Sequence, residues 1–152
     1  MTRRTVVMGI GILVALFLFA ELISLLLETN PPTISEPPWN SPQTRALAVR
    51  ACFDCHSNET RWPWYSRVAP VSMLIVWDMV RGRNRLNFSN YRPGQPIGEG
   101  EGEGGRRGGN EFARVIDRGD MPPWYYLLLH PDAKLTDAEK QQLIQGLQAS
   151  LQ

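Results

Sequence analysis

Apolar positions along the chain predict helices. A mainly apolar run extends from Thr5 to Leu27, and as a helix it would be about 34 Å long, which is enough to cross the hydrocarbon core of a bilayer. Apolar residues recur at helical spacing after Pro70 and again after the capping box Thr136-Asp-Ala-Glu139. The sequence therefore predicts an all-α protein, in which one N-terminal transmembrane helix precedes a small helical domain.

The N-terminal apolar run is best interpreted as an uncleaved membrane anchor. Arg3 and Arg4 precede it, and such charges favour the cytoplasmic side. Residues 1–28 are therefore predicted to form a cytoplasmic N-terminus and a transmembrane helix in the cytoplasmic (inner) membrane, with the rest extracytoplasmic, in the periplasm. A removed signal peptide is the alternative, although no small-residue cleavage pattern ends the run. Glu21 lies about 9 Å inside the span, where it either reaches the interface or bonds to another membrane helix.

Changes in proline and glycine content divide the rest of the 152-residue chain into a tether, a domain and an insert within that domain. Residues 29–42 contain five prolines and are predicted to form an extended tether that holds the domain off the membrane. Residues 43–152 are predicted to form one domain, near the lower end of typical domain size. Residues 93–109 form a Gly-rich insert within it, predicted to be a flexible loop or to become ordered against a partner protein.

The two cysteines of the chain stand in one motif, Cys52-Phe-Asp-Cys55-His56. Cys-x-x-Cys-His is the attachment signature of c-type haem. On a helical turn the thiols can reach the two vinyl groups of one porphyrin, and the next residue is carried beneath the iron. Ser41-Pro42 is a typical helix start, so a helix from Pro42 to Cys55 is predicted to present the motif. A zinc site, a thioredoxin-like dithiol and a disulfide are weaker alternatives.

An electron-carrying haem iron needs a second axial ligand. Met121 stands in Gly119-Asp-Met-Pro-Pro-Trp124, after a short helix predicted over Asn110–Arg118 and ended by Gly119. A rigid extended segment of this kind can hold a thioether towards a metal, so Met121 is the preferred distal ligand. His130, Met73 and Met79 are the other candidates, and an open position is a further one; methionines at helical spacing usually pack in a core.

Two longer segments resemble a family of bacterial single-pass proteins with one haem-binding domain. The first runs from Cys52 through Arg-Trp-Pro-Trp-Tyr to Pro70 and continues at Leu86-Asn-Phe-Ser89; the second runs from Gly119 to Lys140. The likeness extends from about Trp39 to the C-terminus. It implies a monohaem, cytochrome c-like helical fold with one covalently attached haem c, and Met121 as the distal ligand. The insert at 93–109 is longer than the family pattern requires.

Aromatic and basic residues close to the motif are candidates for the haem pocket. Indole, phenol and guanidinium groups can donate hydrogen bonds to haem propionates. The candidates are Arg61, Trp62, Trp64, Tyr65 and Arg67. The aromatic residues after Met121 (Trp124, Tyr125 and Tyr126) are predicted to pack around the flat macrocycle. An excess of arginine between Arg45 and Arg92 indicates either propionate partners, a docking patch for an acidic protein or ordinary solvated surface. The net charge of +1 gives no indication of nucleic-acid binding.

Electron transfer is the function that these patterns favour. A six-coordinate haem on a membrane anchor would exchange electrons with redox partner proteins, alone or within a respiratory or photosynthetic complex, and needs no small-molecule substrate. The chain is thus expected not to be an enzyme. A peroxidase-like haem enzyme and a gas or redox sensor are the alternatives, and both require an open or displaceable sixth ligand.

Overall fold

The computed structural model describes residues 2–93 and 108–151. Within these residues the chain is all-α, as predicted, and two short 3₁₀ helices (Trp64–Arg67 and Pro131–Ala133) join the longer elements. The insert predicted at 93–109 lies outside the described residues except at its ends. The α-helices are α1 (Arg3–Leu27), α2 (Pro42–Ala51), α3 (Phe53–His56), α4 (Val71–Arg85), α5 (Gly108–Asp117), α6 (Trp124–Leu127) and α7 (Asp137–Ser150).

The predicted helix boundaries agree with the structure at several ends. Ser41 caps α2, where its Oγ accepts a hydrogen bond from the backbone N–H of Thr44 at 3.1 Å. Thr136 and Glu139 form the expected capping box of α7. Gly119 follows α5 with φ +77°, a backbone conformation that glycine adopts without strain.

The helix predicted over Pro42–Cys55 is interrupted. The helix α2 ends at Ala51, Cys52 leaves helical geometry with φ −129° and ψ −33°, and α3 restarts at Phe53. The backbone N–H of Cys52 still reaches Ala48 O at 2.8 Å, and the N–H of His56 bonds to Cys52 O at 2.9 Å. The motif therefore lies on a separate short turn that is offset from α2.

The helices α2 and α7 cross at close range, which places the last helix against the one that leads to the motif. Gly146 of α7 lies directly on the Thr44 side chain, so a residue with a Cβ there would overlap it. Arg50 also pairs with Glu139 at 2.5 Å. The core beneath this crossing includes Leu47, Ala48, Phe53, Phe88, Phe112, Leu143 and Leu147.

The Pro-rich segment, predicted to be an extended tether, packs along the domain. Ser35 pairs in a single β-bridge with Asn90, and the backbone N–H of Tyr91 bonds to Ser35 O at 3.1 Å. Glu36 accepts hydrogen bonds from Arg45 Nε at 2.7 Å and from Trp39 Nε1 at 2.6 Å. This part of the chain is therefore held on the domain surface by contacts that its composition does not indicate.

The last turns of α1 also contact the domain. Ser24 Oγ donates to Ser72 Oγ at 3.2 Å, and both serines are buried. The Glu21 carboxylate, which either the interface or another membrane helix was predicted to satisfy, accepts a hydrogen bond from the backbone N–H of Ala69. Arg67 lies 3.5 Å from Glu28 just after the helix. The apolar helix is thus joined directly to the start of α4.

Candidate functional site

One cavity brings together the two parts of the chain that the sequence singled out. It has a volume of about 480 Å³ and is lined by Cys52, Cys55, His56 and Met121. The motif enters from α3, while Met121 enters from the segment between α5 and α6. A volume of this size lies within the range typical of ligand and cofactor sites.

The position of the motif is set by contacts on both sides of α3. Phe53 is buried and stacks on Phe88, with ring centroids 5.4 Å apart. On the opposite side, Gly82 of α4 approaches Cys55 so closely that a Cβ would overlap the Cys55 carbonyl oxygen. A side chain is therefore excluded at Gly82, and the close approach of α4 fixes one wall of the cavity.

His56 is oriented by the loop that follows α4. Its Nδ1 lies 3.0 Å from Leu86 O, and the N–H of Phe88 donates to His56 O at 2.8 Å. A ring nitrogen that faces a carbonyl must carry the proton, which leaves Nε2 as the electron-pair donor. Desolvation of the ring lowers the pKa of His56, so the neutral, ligating form is favoured near neutral pH.

No disulfide joins Cys52 to Cys55. Burial raises the pKa of each thiol to about 12, with nearby Asp78 and Asp54 adding to the effect at Cys55. Both groups are therefore protonated at neutral pH, which does not favour the reactive thiolate that a dithiol oxidoreductase uses. Among the described residues, no group of three or more His, Cys, Asp and Glu side chains is arranged to hold a metal ion, so the zinc alternative gains no support.

Met121 is held towards the cavity by the end of α5. The backbone N–H groups of Asp120 and Met121 both bond to Val115 O, at 2.9 and 3.2 Å. Pro122 and Pro123, which follow it, also line the cavity. A segment fixed on both sides of the thioether has little conformational freedom to lose on ligation.

The three other candidates for the sixth ligand do not line the cavity. Met79 is buried in α4 at 3% exposure, as expected for a core methionine. Met73 lies on the outer surface of α4 and is 54% exposed. His130 stacks on Tyr126 with ring centroids 4.0 Å apart.

The structure does not bring the five predicted pocket side chains to the cavity wall. Arg61 lies 3.4 Å from Asp54, Arg67 lies beside Glu28, and the Tyr65 hydroxyl lies 3.2 Å from His130 Nε2. Trp64 is 80% exposed and Trp62 is partly buried. Of the five, only Arg61 contacts a residue of the motif, and none lines the cavity beside His56.

Two tyrosines that follow the double proline occupy the wall instead. The Tyr126 hydroxyl donates to Asp54 Oδ2 at 2.7 Å, and the Tyr125 hydroxyl donates to Asp78 Oδ2 at 2.8 Å. Burial and the nearby Asp54 raise the pKa of Tyr126, and burial with the Asp78 bond raises that of Tyr125 to about 12. Both phenols therefore remain protonated donors, and they join the Met121 segment to α3 and α4.

Arg81 and Arg85 of α4 also line the cavity. Neither forms an ion pair with any side chain in the described ranges. The sequence did carry a signal for them, because arginines four residues apart share one face of a helix. The sequence does not show what this face of α4 contacts. In the structure Gly82, which lies between the two arginines, packs against Cys55 and so turns the face towards the motif.

The donor set of the cavity fits a haem. Two cysteines, a histidine and a methionine line the same space, and so do the guanidinium groups of Arg81 and Arg85, which form no ion pair in the described residues and can neutralise propionates. Aromatic and aliphatic side chains, including Phe88, Phe112 and Ile116, supply the apolar wall that a flat macrocycle requires.

Comparison with known proteins agrees with this fit. Residues 15–149 match the family model described as haem-binding domain. No curated protein and no solved structure matched the chain. The family match covers most of the sequence and includes the motif, the α4 loop and the Met121 segment. The chain therefore belongs to the haem-binding domain family.

Proposed function

We propose that this haem-binding protein is a membrane-anchored monohaem c-type cytochrome that transfers electrons on the extracytoplasmic side of the inner membrane. Cys52 and Cys55 would hold the haem covalently, His56 would be the proximal ligand and Met121 the distal ligand. The observation that carries the proposal is that all four side chains line one cavity of about 480 Å³.

Each residue of the site has a defined task in this proposal. When bound, the haem would supply the iron that gains and loses the electron. His56, oriented by Leu86 O, presents Nε2 as a neutral donor. A methionine opposite a histidine raises the reduction potential. Arg81 and Arg85 would neutralise the propionates, and the bonds from Tyr125 and Tyr126 would hold the Met121 segment closed.

Closure by Met121 is what favours electron transfer over the haem-enzyme and sensor alternatives. With Met121 as its second ligand, the iron would have no vacant site for a peroxide or a gas, and electron exchange would need little change in ligation. The proposed partners are redox proteins in or near the same membrane. The long apolar α1 supports anchoring by length and composition, since a signal sequence has a shorter apolar part.

The proposal is tested by absorption spectra of the purified holoprotein, oxidised and reduced, with and without carbon monoxide. We expect a low-spin spectrum with the weak far-red band of methionine bound to ferric iron, and no change of the reduced spectrum under carbon monoxide. A high-spin ferric spectrum with ready carbon monoxide binding would favour the enzyme or the sensor instead.

A further inference from the structure

We infer that the haem domain rests in the surface of the bilayer that α1 crosses, through an apolar surface formed by the 3₁₀ helix before α4 and by the first half of α4. This membrane-docking surface comprises Trp64, Val68, Val71, Met73, Leu74 and Trp77. The inference rests on the proposed membrane anchoring, and adds to it a fixed orientation of the domain relative to the lipid.

The first argument is the depth at which α1 holds the domain. The 25 residues of α1 extend about 37 Å, whereas the hydrocarbon core is about 30 Å thick. Ser24 and Glu21 lie about 4.5 and 9 Å before the end of the helix. Because Ser24 bonds to Ser72 and Glu21 bonds to the N–H of Ala69, the start of α4 lies level with the last turns of α1, at the boundary between the hydrocarbon core and the headgroups.

The second argument is which residues accompany Ser72 to that depth. Val71 and Met73 are its direct neighbours, and Leu74 follows within about 3 Å along the helix axis. All three are exposed, with Met73 at 54%, and Trp77 one turn further is 60% exposed. The inward side of α4 carries Ser72, Val76 and Met79, which are buried, so the exposed apolar residues are not part of the core.

The third argument is chemical. An exposed apolar stripe on a helix is costly in water, whereas tryptophan and leucine are well suited to the boundary between headgroups and acyl chains. Trp64 is 80% exposed and lies on the 3₁₀ helix that also contacts α1. The surface is therefore continuous with the membrane helix, and lipid is the occupant that already surrounds it.

The inference can be tested by photo-crosslinking to lipid. The full-length holoprotein is placed, one copy per disc, in phosphatidylcholine–phosphatidylglycerol nanodiscs whose lipids carry a diazirine just below the headgroup. After irradiation, digestion and mass spectrometry, we expect lipid adducts on α1 and on the peptide that contains residues 64–77. The double substitution Met73→Gln, Leu74→Gln should remove most of the adducts on that peptide while α1 remains labelled.

Leu128→Gln is the matched control, because Leu128 is 70% exposed and the helix that it follows, α6, makes no contact with α1 in the described chain. This substitution should leave the pattern unchanged. Labelling of α1 alone would overturn the inference and leave the anchor intact, whereas an unlabelled α1 would overturn the anchor itself and the inference with it. The haem spectrum of each sample, recorded before irradiation, shows separately whether the haem site is intact.

Discussion

At the scale of single residues, backbone contacts rather than side-chain identity explain how the site is shaped. His56 and Met121 are each positioned by main-chain carbonyls, Leu86 O and Val115 O. The motif itself was visible in the sequence because its chemistry is local. The sequence does not single out Arg85, because its place in the wall depends on how α4 packs against α3.

Met121 is the residue whose substitution should change the spin state and ligand binding of the haem most. In Met121→Ala we expect a high-spin ferric spectrum and binding of carbon monoxide to the reduced protein, because the alanine cannot ligate iron. Absorption spectroscopy of the purified variant measures both. Met73→Ala is the control, since Met73 lies outside the cavity, and its spectrum should equal that of the wild type. An unchanged spectrum in Met121→Ala would exclude Met121 as ligand.

Tyr126 should hold the Met121 segment closed. Removing its hydroxyl in Tyr126→Phe deletes the 2.7 Å bond to Asp54, and carbon monoxide or imidazole should then bind several-fold more readily. Tyr65→Phe is the control, because the Tyr65 hydroxyl faces His130 instead. Equal ligand binding in both variants would show that the Tyr126 bond does not restrain the segment.

The contribution of the Tyr126 hydrogen bond to the free energy of unfolding should also depend on pH. Burial and the bond to Asp54 raise the pKa of Tyr126 in the folded protein. The phenol therefore holds its proton more tightly in the folded state than in the unfolded state. Its contribution to stability is complete below about pH 10, the ordinary pKa of the group, and is lost as the pH rises towards the folded value. Urea unfolding of wild type and Tyr126→Phe should therefore differ at pH 7 and converge above pH 10.

At the scale of elements, the starts and ends of helices were predictable but their contacts were not. Ser41-Pro42, Thr136 and Gly119 carry local signals, and each acts at the boundary expected. The break of α2 at Cys52 had no such signal. It is imposed by the burial of Phe53 and by the approach of α4 to Cys55, which are contacts between distant parts of the chain.

Gly82 tests whether the α3–α4 contact is required. Alanine favours a helix by about 1 kcal/mol over glycine, yet Gly82→Ala should destabilise the protein by about 1–3 kcal/mol, because its Cβ would meet the backbone of Cys55. Urea unfolding gives the free energy, and absorbance gives the haem content, which should also fall. Asn84→Ala, at an exposed site of α4, serves as control. A Gly82→Ala protein as stable as wild type would mean that the helices can separate without cost.

At the scale of the whole molecule, the Pro-rich segment connects α1 to the domain as part of the fold. Arg83 illustrates this, because its guanidinium donates to Thr29 O and Ser57 O, both at 2.8 Å. The composition of residues 29–42 predicts an extended tether, but composition does not reveal long-range hydrogen bonds of this kind. A domain held in this way has one orientation relative to α1, which a free tether would not provide.

Glu36 provides a test of this attachment. Hydrogen bonds from Arg45 lower the pKa of Glu36, so its stabilising effect is present above the ordinary pKa and is lost as the pH falls through the folded value. Glu36→Gln should reduce the free energy of unfolding by about 1–2 kcal/mol at pH 7. The difference from wild type should shrink below about pH 4. Urea unfolding at several pH values measures it, and a difference that is independent of pH would contradict the ionic origin.

The central claim is that Cys52 and Cys55 hold one haem covalently, and the intact mass of the denatured, full-length protein tests it most directly. The mass should exceed that of the polypeptide by one haem, and the double substitution Cys52→Ala, Cys55→Ala should abolish the addition. A denatured wild-type chain that shows the mass of the polypeptide alone, with haem released into the solvent, would contradict the account.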